Sequence, residues 1–244
     1  YEYTSPEAGM ADYRMYAGKP VVIKPKSTNF GLGITILKHN YDETDFKGAL
    51  QIAFEHDNTL LIEKFIPGRE FRIFIINDEV VGILHRVPAN VTGDGVLNIG
   101  QLIDRKNEDP LRGKGYRTPL EKIRKGREEE MFLKQQGMDF NTVPKEGEVV
   151  YLRENSNIST GGDSIDFTDD IDDSYKAIAV EAAKALNVKI TGLDMMIQDI
   201  HAPATPDNYA IIEMNFNPAI HIHCYPFKGK NRHLNHKMIR ALGF

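Results

Sequence analysis

The spacing of apolar residues changes several times along the chain, and each change predicts an element. "KPVVIKPK" (Lys19–Lys26) carries a short apolar run and predicts a buried strand. "ITIL" (Ile34–Leu37) predicts a second strand and "TLLIEKFI" (Thr59–Ile66) a third. Between these two, Phe46, Leu50, Ala53 and Phe54 predict an amphipathic helix over Asp42–His56. "REFRIFII" and "EVVGILHRV" flank Asn77-Asp78, a turn dipeptide, and predict a hairpin. Asn98–Arg127 is polar and reads as helix plus loop, followed by a strand in "GEVVYLR" (Gly147–Arg153) and a polar glycine loop over Asn155–Asp166. Asp172–Asn187 predicts a helix, with acids at its start and a face of Ile178, Ala182, Ala185 and Leu186. "KITGLDMMIQDI" and "YAIIEMNF" predict a last strand pair, and Arg232–Leu242 a short terminal helix. Hairpins mixed with helices imply α+β layers and not a doubly wound parallel sheet. The expected division is a small unit over residues 1–66 and a larger one over 67–244.

Composition narrows the function classes. Hydrophobic residues are 41% and charged residues 27%, ordinary for a globular chain. A net charge of −5 argues against wholesale nucleic-acid binding. There is no apolar run long enough to span a membrane and no secretory leader pattern at the start. The single cysteine, Cys224, excludes an internal disulfide framework and points to a reducing, cytoplasmic compartment.

Chemistry concentrates on a few polar residues set in apolar strands. Glu213 and Asn215 are two apart, so they share one face of their strand. If Asp199–Asn208 is the loop joining the last two strands, Asp194 falls opposite Glu213. Two carboxylates that close repel unless a cation lies between them. All-oxygen ligands suit Mg²⁺ or Mn²⁺; the competing reading is a solvated face of an edge strand. Lys24 sits inside "VVIKP", where it either meets an anion or snorkels to the surface. Gly31 and Gly33 form a GxG loop that could offer N–H groups to phosphate, or simply turn the chain. "STGGD" (Ser159–Asp163), with Gly161 and Gly162 and with Arg153 and Asn157 upstream, is a second candidate phosphate cover and the best candidate lid. Together these point to a nucleoside triphosphate. GxxxxGK[ST] is absent, so the site is not of the Walker type. His221, His223 and Cys224 are a weaker zinc candidate: on a strand the two histidines share a face from which Cys224 points away.

"VVIKP", "LIEKFIPGREFR", "VYLRENSNISTGGDSID", "GLDMM" and "IIEMNFNP" follow one another as in the ATP-grasp superfamily, and the chain resembles that superfamily over nearly its whole length. "RVPANVTGDGVLNIGQLID" and "LRENSNISTGG" resemble the branch that holds cyanophycin synthetase and the bifunctional γ-glutamate–cysteine ligase/glutathione synthetases. "VVIKPKSTNFGLGI" and "IEMNFNPAIHIHCYPFKGKNRHL" look most like the glutathione synthetase module of the latter. The resemblance implies an ATP-grasp fold, two α+β subdomains gripping ATP. It implies ligation of γ-glutamylcysteine to glycine through an acyl phosphate. Another peptide ligase of the branch, or an ATP-binding module without catalysis, remain the alternatives. By the same resemblance Lys24 meets the ATP phosphates. Glu63, Lys64 and Ile66 hold adenine, Glu70 takes the ribose hydroxyls, and Gly161 and Gly162 close over the phosphates. Asp194, Glu213 and Asn215 hold two Mg²⁺ ions.

Two departures from the family pattern stand out. D-alanine–D-alanine ligases carry an arginine two positions before the metal aspartate, where this chain has Gly192. Arg153 is the expected substitute, and Arg72 and Arg86, on the hairpin, are expected to meet phosphate or a substrate carboxylate. Family members also carry a further α/β subdomain before the "VVIKP" strand, where this chain has only Tyr1–Gly18. A longer native chain, with γ-glutamate–cysteine ligase fused upstream, and weak ligation by this portion alone are therefore expected. Homodimerisation is left open.

Overall fold

In a computed structural model that describes residues 1–28, 33–38 and 40–243, the apolar runs segregate into two larger sheets, with two further strand pairs. Each sheet belongs to one of two units, Tyr1–Ile66 and Pro67–Phe244. The first unit contains β1 (Glu2–Tyr3), α1 (Pro6–Ala11), α2 (Tyr13–Tyr16), β2 (Val21–Pro25), β3 (Thr35–Leu37), α3 (Glu43–Phe54) and β4 (Leu60–Lys64). Its strands pair antiparallel in the order β1-β4-β2-β3. Asp42 starts α3 by accepting the N–H groups of Thr44 and Asp45, while Asp45 reaches back to the Asp42 N–H. The helix then lays Phe46, Ala49, Leu50 and Ala53 on Val21, Ile23, Leu60 and Ile62 of the sheet. Each such aliphatic contributes about 1.5–3 kcal/mol by leaving water.

The second unit runs β5 (Arg69–Ile76), β6 (Glu79–Val87), β7 (Asn90–Thr92), α4 (Ile99–Lys106), β8 (Arg112–Gly113), β9 (Leu120–Glu121), α5 (Arg127–Gln135) and β10 (Val149–Tyr151). It continues with β11 (Asp163–Asp166), α6 (Asp173–Ala185), β12 (Ile190–Ile197), β13 (Tyr209–Asn215), α7 (His221–Cys224) and α8 (Leu234–Ala241). Five strands form an antiparallel sheet in the order β11-β6-β5-β12-β13. Asn77 and Asp78 both adopt positive φ, 46° and 64°, which gives the tight hairpin its twist-compatible turn. α6 covers one face of the sheet, against Phe71, Ile73, Ile75, Leu193, Met195 and Ile197. The alternate residues Arg72, Phe74, Gly192 and Asp194 therefore face the other side. There Phe74 packs with Cys224 of α7 and Leu234 of α8. No helix among the described residues is long and apolar enough to cross a membrane.

Three expectations need correction. Of the expected α6 face, Ile178 and Ala182 pack against the core beside the fully buried Tyr175, Ala179 and Ala183, while Ala185 and Leu186 are exposed. The i, i+4, i+8 stripe led by the large tyrosine decides the docking angle, and the terminal leucine lies beyond it. Asn155–Asp166 is not loop throughout: Asp163–Asp166 is β11, with Ser164 fully buried and paired across to Arg86. His221–Cys224 is a helical turn and not a strand. Among the described residues no three His, Cys, Asp or Glu side chains gather as a metal cluster.

His223 is fully buried, stacked edge-on against Phe74, and neither ring nitrogen has a hydrogen-bond partner. Burial pushes its pKa down to about 3, whereas an unfolded histidine titrates near 6.5. Between those values the unfolded chain binds a proton that the folded chain refuses, so stability falls as pH drops below about 6.5. Replacing His223 with leucine is expected to remove about 1.4 kcal/mol per pH unit of that dependence between pH 6 and 5. Urea titrations at the two pH values measure it. An unchanged slope would mean that His223 is protonated in the folded state.

Candidate functional site

The face of the sheet opposite α6 collects the charged residues. Asp194 lies on β12, directly across from Arg72 on β5 and Glu213 on β13. Ile211 pairs with Met195 and Glu213 with Asp194, so Ile212 is an extra residue in β13. That bulge makes Ile197 the partner of Tyr209, one residue from the simple register, yet leaves the Asp194–Glu213 pair as expected. Glu213 accepts from the Asn215 amide at 2.9 Å, so the triad converges.

Asp194 is almost completely buried, at 2% exposure. Arg72 grips it with two hydrogen bonds, from Nε to Oδ1 and from Nη2 to Oδ2. Arg86 of β6 adds a third, at 2.9 Å to Oδ2. Burial by itself would raise the Asp194 pKa, but the hydrogen bond from Arg72 and the charges of Arg86 and Arg72 hold it below the usual carboxylate range. The Arg72 guanidinium also lies 4.0 Å from Glu213, whose side chain is more than half exposed. Two carboxylates and an amide carbonyl are hard oxygen donors of the kind that Mg²⁺ and Mn²⁺ take. In this structure the Arg72 guanidinium supplies positive charge to both carboxylates.

Gly192 explains how Arg72 reaches this place. A Cβ at Gly192 would fall 3.0 Å from Arg72 Cδ and 2.7 Å from Pro218 Cβ. The guanidinium comes from the neighbouring strand and fills the space that a side chain at 192 would need. Arg153, the expected substitute, is elsewhere: it pairs with Glu128 and with the buried Glu129. Its positive charge is therefore already matched by α5.

Arg86 also pairs with Glu70, and the Ser156 hydroxyl donates to the other Glu70 oxygen at 2.6 Å. Ser156 was not anticipated, because nothing local in the sequence links it to a residue 86 positions away. Asn157 precedes the short 3₁₀ turn Ile158–Thr160, and its carbonyl accepts from Thr160 and Gly162. Gly161 (φ 95°) packs on the backbone of Ile123, and Gly162 on the Val87 carbonyl. Packing alone accounts for both glycines, and it ties down the end of the candidate lid. In the first unit Lys24 forms a 2.6 Å ion pair with Glu63, while Lys64 and Ile66 lie at the end of β4 and just beyond it. Gly33 (φ 75°) leaves no room for a Cβ beside Pro25 and His56. Gly31 lies outside the described residues.

Residues 4–98 match the family described as D-ala D-ala ligase C-terminus. The chain is 62% identical over 242 residues, 99% of its length, to the glutathione biosynthesis bifunctional protein GshAB of Desulfotalea psychrophila, of which it covers 31%. It is 55% identical over 241 residues, again 99% of its length, to the protein of that name from Clostridium perfringens, also covering 31%. Its fold superposes on the crystal structure of a bifunctional glutathione synthetase from Pasteurella multocida with a TM-score of 0.73 and 46% identity, covering 99% of this chain and 33% of that one. The chain thus spans about a third of the length of the curated relatives it matches.

Substituting Arg72 with methionine keeps much of the packing but leaves Asp194 with Arg86 alone. Breaking one partner of a buried pair costs about 3–5 kcal/mol, and the remaining arginine places the expected loss near the lower end. Urea unfolding at pH 7 tests this; a loss under about 1 kcal/mol, within the range of an exposed ion pair, would assign the main counter-charge to Arg86.

Proposed function

We propose that this chain, an α+β domain of the ATP-grasp fold homologous to a segment of bifunctional glutathione biosynthesis proteins, is an ATP-dependent carboxylate–amine ligase of the glutathione synthetase type. Its substrates would be γ-glutamylcysteine, glycine and ATP, and the relatives' threefold greater length supports a neighbouring γ-glutamate–cysteine ligase in the same polypeptide. A reducing, cytoplasmic setting belongs to the same reading and suits the free, buried thiol of Cys224. The observation that carries the reading is the charge-compensated face formed by Asp194, Glu213, Asn215, Arg72 and Arg86.

The dipeptide carboxylate attacks the γ-phosphorus of ATP, ADP leaves, and the resulting acyl phosphate is displaced by the glycine amine with loss of phosphate. No enzyme nucleophile is required, so the chain's residues act by placing groups and matching charge. Lys24 would exchange Glu63 for phosphate oxygens, which an ammonium on a flexible stem can do at small cost because the pair is partly exposed. Glu63, Lys64 and Ile66 would line the adenine. Glu70 would trade the Ser156 hydroxyl for those of the ribose. Asp194, Glu213 and Asn215 would hold Mg²⁺ or Mn²⁺, which neutralises phosphate charge when bound. Arg72 and Arg86 would supply further positive charge on that face. Asn157 and the turn ending at Gly161 and Gly162 would cover the phosphates and exclude water, which destroys acyl phosphates; the packing of both glycines limits that motion to the residues before them.

Mass spectrometry of a mixture of this chain with γ-glutamylcysteine, glycine and Mg-ATP is expected to show glutathione and ADP in equal amounts, formed slowly by this portion alone. ADP formed without the tripeptide, or ATP bound and never turned over, would favour the module without ligase activity. Glu213→Gln, at an exposed position, is expected to lower phosphate release by at least about a hundredfold, since the charge matching is worth several kcal/mol. Turnover near that of the wild type would remove Glu213 from the site.

Glu70→Gln is expected to weaken ATP by about ten- to a hundredfold, because a charged acceptor to a hydroxyl contributes about 1.5–3 kcal/mol. Tripolyphosphate, which has no ribose, serves as the control in the same titration. An equal loss for both ligands would take Glu70 out of the ribose role.

A further inference from the structure

The second unit holds a separate polar cavity of about 650 Å³, lined by the end of α4 and by Lys114, Gly115 and Glu121–Lys125 from the stretch Arg112 to Arg127. That stretch concentrates seven of the chain's 30 cations around one carboxylate, in a protein of net charge −5. Part of this charge is already matched. Arg112 pairs with buried Asp163, and Lys125 with Asp104. The lone carboxylate, Glu121, is itself buried and accepts the backbone N–H groups of Gly115 and Tyr116 at 3.1 and 2.5 Å. Lys114, Lys122 and Arg124 are left lining the cavity with no ion pair or side-chain hydrogen bond among the described residues. Glu108, on the α4 side, is likewise without a partner.

The walls are fixed independently of any ligand. The Asn107 carboxamide makes two 2.8 Å bonds to the backbone of Ile123, one as donor and one as acceptor. Glu121 holds Tyr116 at a φ of 57°, a left-handed conformation unfavourable for a bulky residue, with its ring exposed. No packing gain offsets that strain, and such strain collects where ligands are held. Packing contacts link the cavity wall to the strand that carries Arg86. Ile123 is the residue on which Gly161 packs; Gly162 packs on the carbonyl of Val87, which follows Arg86.

We propose that this cavity is the subsite for a small zwitterionic peptide bearing two carboxylates and one ammonium group, with Lys114, Lys122 and Arg124 taking the carboxylates and Glu108 the ammonium. The proposal rests on the ligase reading, since the dipeptide substrate named there has this charge pattern. A simple polyanion is a poorer match, because Glu108 and Asp104 would repel it. A neutral peptide would leave the three cations unanswered.

Isothermal titration of γ-glutamylcysteine into the full chain, with ATP present, tests the subsite. Each exposed charge pair is worth about 1 kcal/mol or less, so Lys122→Ala and Arg124→Ala are each expected to weaken the dipeptide by about three- to fivefold. The double variant should weaken it by about tenfold or more, with ATP affinity and the thermal midpoint unchanged. Glu108→Gln should weaken the free dipeptide but not its N-acetyl derivative. The dipeptide diester should bind the wild type at least about tenfold more weakly than the free acid, an arm that depends on no variant. Unchanged dipeptide affinity in the double variant, or a diester that binds as well as the acid, would overturn the subsite. Product analysis separates this from the parent reading. Glutathione formed at unaltered dipeptide KM by the double variant sinks the subsite alone, whereas charge-dependent dipeptide binding with no ligation by the wild type sinks the ligase reading and leaves the subsite standing.

Discussion

A buried carboxylate between two guanidinium groups organises the second unit. Asp194 lies in the sheet interior, where an unpaired charge would cost several kcal/mol. Arg72 and Arg86 remove that cost by giving its two oxygens three charge-assisted hydrogen bonds. Because the partners come from β5 and β6, the interaction also fixes how three strands lie side by side. Gly192 belongs to the same arrangement, since a Cβ there would clash with Pro218 and press on the arginine.

The same grouping explains why polar chemistry can sit on an otherwise apolar sheet. The face toward α6 is packed with Phe71, Ile73, Ile75, Leu193 and Met195 and supplies the hydrophobic stability. The opposite face is then free to carry charge, provided every charge is matched. Glu70 is matched by Arg86 and Ser156, Glu213 by Asn215 and by the approach of Arg72. Under the proposed function, a ligand entering this face would exchange partners with groups already in place. The reorganisation is small, which is what preorganised electrostatic sites require.

Much of this was legible in the chain itself. The two units' strands and helices follow the apolar period, and the Asn77-Asp78 hairpin and the Asp42 cap are local turn and cap chemistry. The sequence also places Asp194 opposite Glu213, where two carboxylates call for positive charge. The cation that the fold supplies is the Arg72 guanidinium. Arg153 looked equally suitable in the sequence but is held by Glu128 and Glu129. The α6 face is shifted toward Tyr175, Ala179 and Ala183 from the expected one, of which Ile178 and Ala182 still pack, because the closely spaced alanines allow neighbouring stripes and only contact with the sheet selects among them.

Residue type, spacing and turn chemistry determined the α+β elements and the short list of chemically active side chains, because those properties depend on neighbours a few positions apart. Tertiary structure decided which of those side chains meet. Arg72 and Asp194 are separated by 122 positions, Glu70 and Ser156 by 86, and Arg112 and Asp163 by 51. The first depends on strand order and register within the five-stranded sheet, and the other two join a strand of that sheet to a loop and to a strand of another sheet. Shifting a strand by one residue moves its side chains to the opposite face. No local pattern carries that choice; it is made when the whole sheet assembles around its buried charge.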